Sequence, residues 1–223
     1  MQPGCDGRNV SLTQVRRCEL RKSAATVPVM ESLELADFRS AVARMYLEAD
    51  GLSDFRTRRD DLFATHAQSP IPPSERADFA GLAYFPENPE AIVDVPVHKA
   101  DGELTIDTGG PDGVVRYTRA GILETPFGDL TLWWIAAYGG GLFLPVRDGT
   151  CGRETYGGGR YLTDTVKGTH GRGVQWLGSD RVRLDFNYLY NPSCAYDPRW
   201  ACPLAPPENR ITHPLEAGEK SYH

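Results

Sequence analysis

Between Phe79 and Leu189 the sequence alternates short apolar runs with turn residues, and it never pauses for a helix. That rhythm constrains the fold more than any other feature. Val93, Val95 and Val97 alternate with polar or proline neighbours, as one face of a half-buried strand does. Leu104 and Ile106 follow the turn Ala100-Asp101-Gly102. Further strands are predicted at Phe79–Phe85, Val114–Arg119, Gly121–Thr125, Leu130–Ala137, Leu142–Val146, Gly173–Leu177 and Arg181–Leu189. Gly128-Asp129 and Gly178-Ser179-Asp180 read as hairpin turns. Parallel strands need crossover helices, and none fits between these runs. The sequence therefore predicts a mainly β fold, an antiparallel barrel or sandwich.

Ahead of the strands the period changes. Leu35, Phe38, Val42 and Met45 recur at helical spacing, and Gly51 stops that helix. A second helix is predicted from about Ser53 to Thr65, with Phe55, Leu62 and Phe63 inward. Its charged residues, Arg56, Arg58, Arg59, Asp60 and Asp61, read as a solvated face. Pro70, Pro72 and Pro73 then exclude both helix and central strand. Behind the strands, Pro192, Pro198, Pro203, Pro206, Pro207 and Pro214 mark an extended tail. It holds Tyr196, Trp200, Leu204, Ile211 and Leu215, so it is expected to pack on the β domain, unlike a free linker.

Residues 1–29 carry five basic and two acidic side chains, a net of +3, against −9 for the remainder. They show no sustained periodicity and lack the apolar core of a secretory signal. They are expected to be a disordered tail or the product of an early start, with translation beginning at Met30 and residues 30–223 forming one domain.

Charge and composition remove several function classes. The chain is net −6, which gives no general attraction to nucleic acid. Its longest apolar run, Leu130–Tyr138, is too short for a membrane helix. Arginine outnumbers lysine 20 to 4, a mark of GC-rich codons in a bacterial genome more than of chemistry. The five cysteines show neither a disulfide framework nor zinc-ribbon spacing, so a reduced, cytoplasmic protein is expected. HExxH, GxSxG and P-loop motifs are absent from the sequence.

Polar residues concentrate in three places: Asp148–Leu162, Asp185–Pro192, and the segments around Cys194 and Cys202. Gly157-Gly158-Gly159 reads as a tight turn or a backbone approach to phosphate. Arg160 beyond it can grip a carboxylate or phosphate, or pair with Glu154 or Asp148. Asp185 and Asn187, two apart, share one face of a strand. Asn191-Pro192 suits an Asx turn. Cys194 and Cys202 fit a redox pair, a metal pair completed by His66 or His213, or packed small hydrophobes.

Those same stretches, ETYGGGRYL, DFNYLYNPSCAY and CPLAPPENR, resemble the family catalogued as Domain of Unknown Function 1684, as do FRTRRDDLFATHAQSPIP and FAGLAYF upstream. The resemblance runs from about Asp37 to Glu219. It implies a bacterial or archaeal globular domain and no settled activity. The residues themselves point to a small-molecule enzyme or binder with a polar pocket at one end of a β barrel. Glu154, Tyr156, Arg160, Asp185, Asn187, Tyr190 and Asn191 are its candidate ligand-binding residues, with no metal predicted. The alternative is a non-catalytic structural or interaction protein, in which those groups satisfy buried loop backbone. A flavin barrel has no motif behind it. Cofactor, reaction and oligomeric state are not legible.

Overall fold

The computed structural model describes residues 29–110 and 113–223. The segment expected to be a tail or early start, 1–29, lies outside them except for Val29. Two helices open the fold, α1 (Val29–Glu48) and α2 (Gly51–Thr65). Val42, Met45 and Tyr46 are the buried face of α1. Gly51 takes φ +82°, which lets the chain reverse between the helices. The start of α2 is closed by Asp54, whose carboxylate accepts the Asp50 N–H at 2.8 Å.

Eight strands follow: β1 (Ile92–His98), β2 (Glu103–Asp107), β3 (Val114–Thr125), β4 (Gly128–Ile135), β5 (Leu142–Val146), β6 (Arg160–Asp164), β7 (Val174–Gly178) and β8 (Arg181–Asp185). All pairings are antiparallel, in the order β6-β5-β4-β3-β1-β8-β7, with β2 also on β3. The result is a strongly curled sheet with β6 and β7 at the two ends of that order and β2 a further edge beside β3. The two end strands come close. A Cβ on Gly173, just before β7, would sit 2.3 Å from the Leu162 carbonyl of β6.

One long strand makes the curl possible. The first half of β3 pairs with β2, and its second half pairs with β1 through Val97↔Leu123. The register shifts between Arg119 and Gly121, a bulge that bends the strand and hands its edge from one partner to the other. Gly121 lies so near β1 that a Cβ there would come within 2.5 Å of Val97 Cγ1. The predicted break between Val114–Arg119 and Gly121–Thr125 is thus a bend within a single strand. The Gly178-Ser179-Asp180 hairpin has Ser179 and Asp180 at φ +48° and +55°, the conformation a two-residue primed turn requires.

Two expectations fail. Phe79–Phe85 is not a strand of the sheet: only Tyr84 bridges, to Glu219, with Phe85 N–H donating to the Gly218 carbonyl at 2.9 Å. Its aromatics line a strap along the C-terminal end of the chain. Conversely, β6 is a strand that the sequence pattern does not predict. All five of its residues are buried, so it shows no alternation and carries Arg160, Thr163 and Asp164 inward.

The sheet packs on both faces. Leu123, Leu130, Leu132, Leu144, Leu162 and Leu184 form an aliphatic core on one side. Their neighbours in sequence, Trp133, Phe143 and Tyr161, turn to the other side with Tyr117 and Tyr190. The tail reaches both sides: Ile211, Leu215 and Ala217 join the aliphatic core, and Asn209 meets Trp133 of the aromatic one. Asn209, fully buried, accepts from Trp133 Nε1 at 2.9 Å and donates to the Thr131 carbonyl at 2.8 Å. Tyr196, Ile211, Leu215 and Ala217 are buried, whereas Leu204 is exposed and Trp200 half-buried. The helices form a third layer, with Phe55 stacked edge-on against Tyr46 and Tyr188. Arg172 ties them to the sheet by donating to the Tyr46 and Ala49 carbonyls at the end of α1.

Candidate functional site

The sequence-predicted residues separate into three groups. Arg160 opens β6 with a fully buried side chain. It donates to Asp148 Oδ2 at 2.9 Å and to the carbonyls of Leu215, Ala217 and Glu219, so it clamps the C-terminal segment to the sheet. Asp148 Oδ1 accepts from Thr150 N and Oγ1 and from Leu215 N. Burial alone would raise the Asp148 carboxyl. The Arg160 charge and the Thr150 hydrogen bonds outweigh it, and the carboxyl is held below its usual range. Glu154 is exposed, on a tight turn in which the Thr150 carbonyl accepts its N–H. Of the two carboxylates weighed for Arg160, Asp148 holds it. Gly159 completes the glycine turn at φ +92°, with Val146 O 2.8 Å from where a Cβ would stand.

Asp185 and Asn187 spend their polar atoms on backbone. Asn187 Nδ2 donates to the Asn88 carbonyl at 2.9 Å and its Oδ1 accepts the Asn88 N–H at 2.8 Å. Asp185 Oδ1 accepts from Asn187 N and Nδ2, capping the one-turn helix Phe186–Tyr188. The strand ends at Asp185, so the shared-face spacing is that of a turn. Burial, above all, raises the Asp185 carboxyl. Tyr156 goes elsewhere, its hydroxyl 3.7 Å from Cys194 Sγ.

Tyr190 and Asn191 meet a residue that the sequence hid. Arg59 of α2, expected in solvent, is 4% exposed. It stands four residues from both Phe55 and Phe63, the other buried positions of α2, and that spacing was the available signal. Its Nη2 donates to Glu219 Oε2 at 3.0 Å and Tyr196 Oη at 3.2 Å, and its guanidinium lies over the Phe63 ring at 4.3 Å. Burial disfavours the charge most strongly, but Glu219 together with Tyr196, Tyr84 and Tyr46 outweighs it and the Arg59 pKa rises. Asn191 donates to Glu219 from both N and Nδ2, at 3.2 and 3.0 Å, and Tyr196 Oη donates to the same carboxylate.

This cluster borders a cleft of about 50 Å³ between the helices, the end of β6 and the 190–196 segment. Phe38, Val42, Phe63 and Pro70 form its apolar wall. Lys167 and Thr169 close it from the turn after β6. Two buried polar atoms on its lining residues have no partner in the protein, Arg59 Nε and Asn191 Oδ1, while the Tyr190 hydroxyl meets the Thr169 side chain. A second depression of about 60 Å³, near Asn88, Phe127 and His213, contains none of these atoms. Glu154, Arg160, Asp185 and Asn187 line neither.

Asp164 lies near this cleft at the end of β6. Burial raises its carboxyl, and Lys167 with the Val166 and Lys167 N–H groups offsets only part of that. An acid whose folded pKa is raised penalises folding above that pKa and not below its unfolded value. Asp164→Asn, which keeps an acceptor and removes the charge, is therefore expected to raise Tm by about 2–4 °C at neutral pH. Near pH 3, where the carboxyl is protonated in both states, scanning calorimetry should find no gain.

Among the described residues, no group of three or more His, Cys, Asp or Glu side chains is placed to hold a metal ion, and no helix is long and apolar enough to cross a membrane.

The fold has a solved counterpart. An uncharacterised protein of Haloarcula marismortui, solved by solution NMR, is 34% identical, with 77% of this chain and 94% of that one covered and a TM-score of 0.54. No curated protein matches. The family model described as "Protein of unknown function (DUF1684)" matches residues 77–220, which takes in every strand, Arg160, Tyr190, Asn191 and Glu219. The chain belongs to the DUF1684 family.

Proposed function

We propose that this protein binds a small molecule, one polar end of which enters the cleft between α1, α2 and the 190–196 segment. The observation that carries this is that two residues lining one opening, Arg59 and Asn191, each hold a buried polar atom, Nε and Oδ1, without a protein partner. A buried polar group without a hydrogen bond costs about 1–3 kcal/mol, so two on the residues of one cleft call for something to satisfy them. Together they offer a donor and an acceptor, and the neighbouring Tyr190 hydroxyl can be either.

The charges there are matched, Arg59 by Glu219 and Lys167 by Asp164. Matched charge favours an uncharged polar group, such as an amide or a sugar hydroxyl, over an anion. The apolar wall suits an aliphatic or aromatic body behind it. The volume admits a functional group, with the rest of the ligand lying along the surface.

A ligand-observed NMR screen of amide- and hydroxyl-bearing fragments tests the reading. Hits should weaken about tenfold in Tyr190→Phe, the equivalent of one hydrogen bond of about 1.4 kcal/mol, while Tm changes by no more than the loss of the single Thr169 contact allows. Fragments that bind Tyr190→Phe as well as the parent, or no binding across the library, would reject it.

A further inference from the structure

The cysteines near the cleft are not used by this reading, and they differ sharply from one another. Cys151 is half-buried, its thiol raised mainly by burial and accepting from Thr155 Oγ1 at 3.7 Å. Cys194 sits in the single turn Ser193–Ala195, half-buried, with Tyr156 Oη 3.7 Å from its sulfur. Cys202 is 7% exposed. Between the two, the chain doubles back through a turn in which Trp200 N–H donates to the Asp197 carbonyl at 3.1 Å. That return brings the two thiols into hydrogen-bond contact with each other. The Cys202 sulfur also faces the backbone N–H groups of Ser193 and Cys194, with the Lys167 ammonium in range.

We propose that Cys194 and Cys202 are a redox site, oxidised to a reversible intramolecular disulfide by hydrogen peroxide. The thiolate is the nucleophile in thiol oxidation, and nearby N–H donors and cations favour it. Here the Cys194 thiol donates to Cys202, and the amides and Lys167 add to that, so the Cys202 thiol is pulled below its ordinary range.

The Cys202 thiolate attacks one peroxide oxygen, the O–O bond breaks, and hydroxide leaves. Cys202 is then a sulfenic acid. Cys194 sulfur attacks that sulfur, the S–O bond breaks, and the departing hydroxide takes the Cys194 proton as water. In sum two thiols and one peroxide give a disulfide and two waters. The neighbours of Cys194, Pro192, Ser193 and Tyr196, line the cleft, so the cross-link fixes one of its walls. The disulfide forms whether or not a ligand is bound.

Peptide mapping of the full, fully reduced chain after peroxide and alkylation tests this. The expected result is the loss of two alkylatable thiols, a Cys194–Cys202 linked peptide, and recovery of both thiols with dithiothreitol. Cys151 should remain alkylated throughout. Cys194→Ser should leave a Cys202 sulfenic acid that dimedone labels, and Cys202→Ser should lose the labelling. Cys194 and Cys202 both still alkylated after peroxide would overturn the proposal. So would linkage of either to Cys5, Cys18, Cys151 or a second molecule.

Discussion

Replacing Asp148 with alanine is expected to lower the free energy of unfolding by about 3–5 kcal/mol, a large share of the roughly 5–15 kcal/mol that holds a domain folded. Both side chains of the Asp148–Arg160 pair are fully buried. Removing the carboxylate leaves a guanidinium with no counter-ion where water does not reach. It also frees the Leu215 N–H that Asp148 holds, so one strand of the tail clamp goes with it. Urea unfolding measures the loss. A double variant, Asp148→Leu with Arg160→Met, removes both charges and is expected to recover a good part of it.

The pH dependence has a definite sign. The folded carboxyl lies below its unfolded value, so its contribution is present above the unfolded pKa of about 3.9 and is lost as pH falls through the folded one. The parent should therefore lose more stability than Asp148→Asn on passing into acid below about pH 4. A cost for Asp148→Ala no greater than the ~1 kcal/mol of an exposed ion pair would remove the clamp from this account.

Glu219→Ala is expected to cost a similar ~3–5 kcal/mol, for a different structural reason. Glu219 is 1% exposed and four positions from the last residue, His223, yet it accepts from Arg59 on α2, from Tyr196, and from Asn191 twice. It fastens helix, tail and site with one carboxylate. Its loss should also expose the 192–218 segment, so limited proteolysis there should accelerate in step with the fall in stability. Glu219→Gln keeps acceptor and shape but leaves Arg59 uncompensated, and should fall between the parent and Glu219→Ala. A proteolysis rate unchanged in Glu219→Ala would show that the tail is held without this carboxylate.

How much of this the sequence disclosed depended on range. The hairpin at Ser179-Asp180 was legible because positive φ is a local demand that leaves a local signature. Gly121 was visible as an interruption, but whether a glycine ends a strand or bends it depends on Val97 of β1, which the local sequence does not show. The failed strand at Phe79–Phe85 has β composition because its aromatics pack on the chain end, as Phe79 does against Tyr222. Strand β6 lost its alternation once the tail covered its second face.

The candidate site followed the same rule. Arg160 had two nearby carboxylates, and only the arrival of Leu215–Glu219 puts Asp148 rather than Glu154 in its shell. Asn187 was picked out as polar, but its partner Asn88 is 99 residues away. Tyr190 and Asn191 were named as site residues, and what they face came from the far end of the chain. Arg59 looked solvated because four charged neighbours surround it in sequence. Its helical spacing from Phe55 and Phe63 was the stronger indicator.

The cleft is tested most directly by soaking crystals with the fragments that bind in solution and solving the complex. The account predicts a fragment whose polar atoms lie within about 3.2 Å of Asn191 Oδ1 and Tyr190 Oη, with Arg59 Nε satisfied directly or through one water. Fragments that all settle elsewhere, with Asn191 Oδ1 and Arg59 Nε paired to protein groups in the crystal, would contradict it.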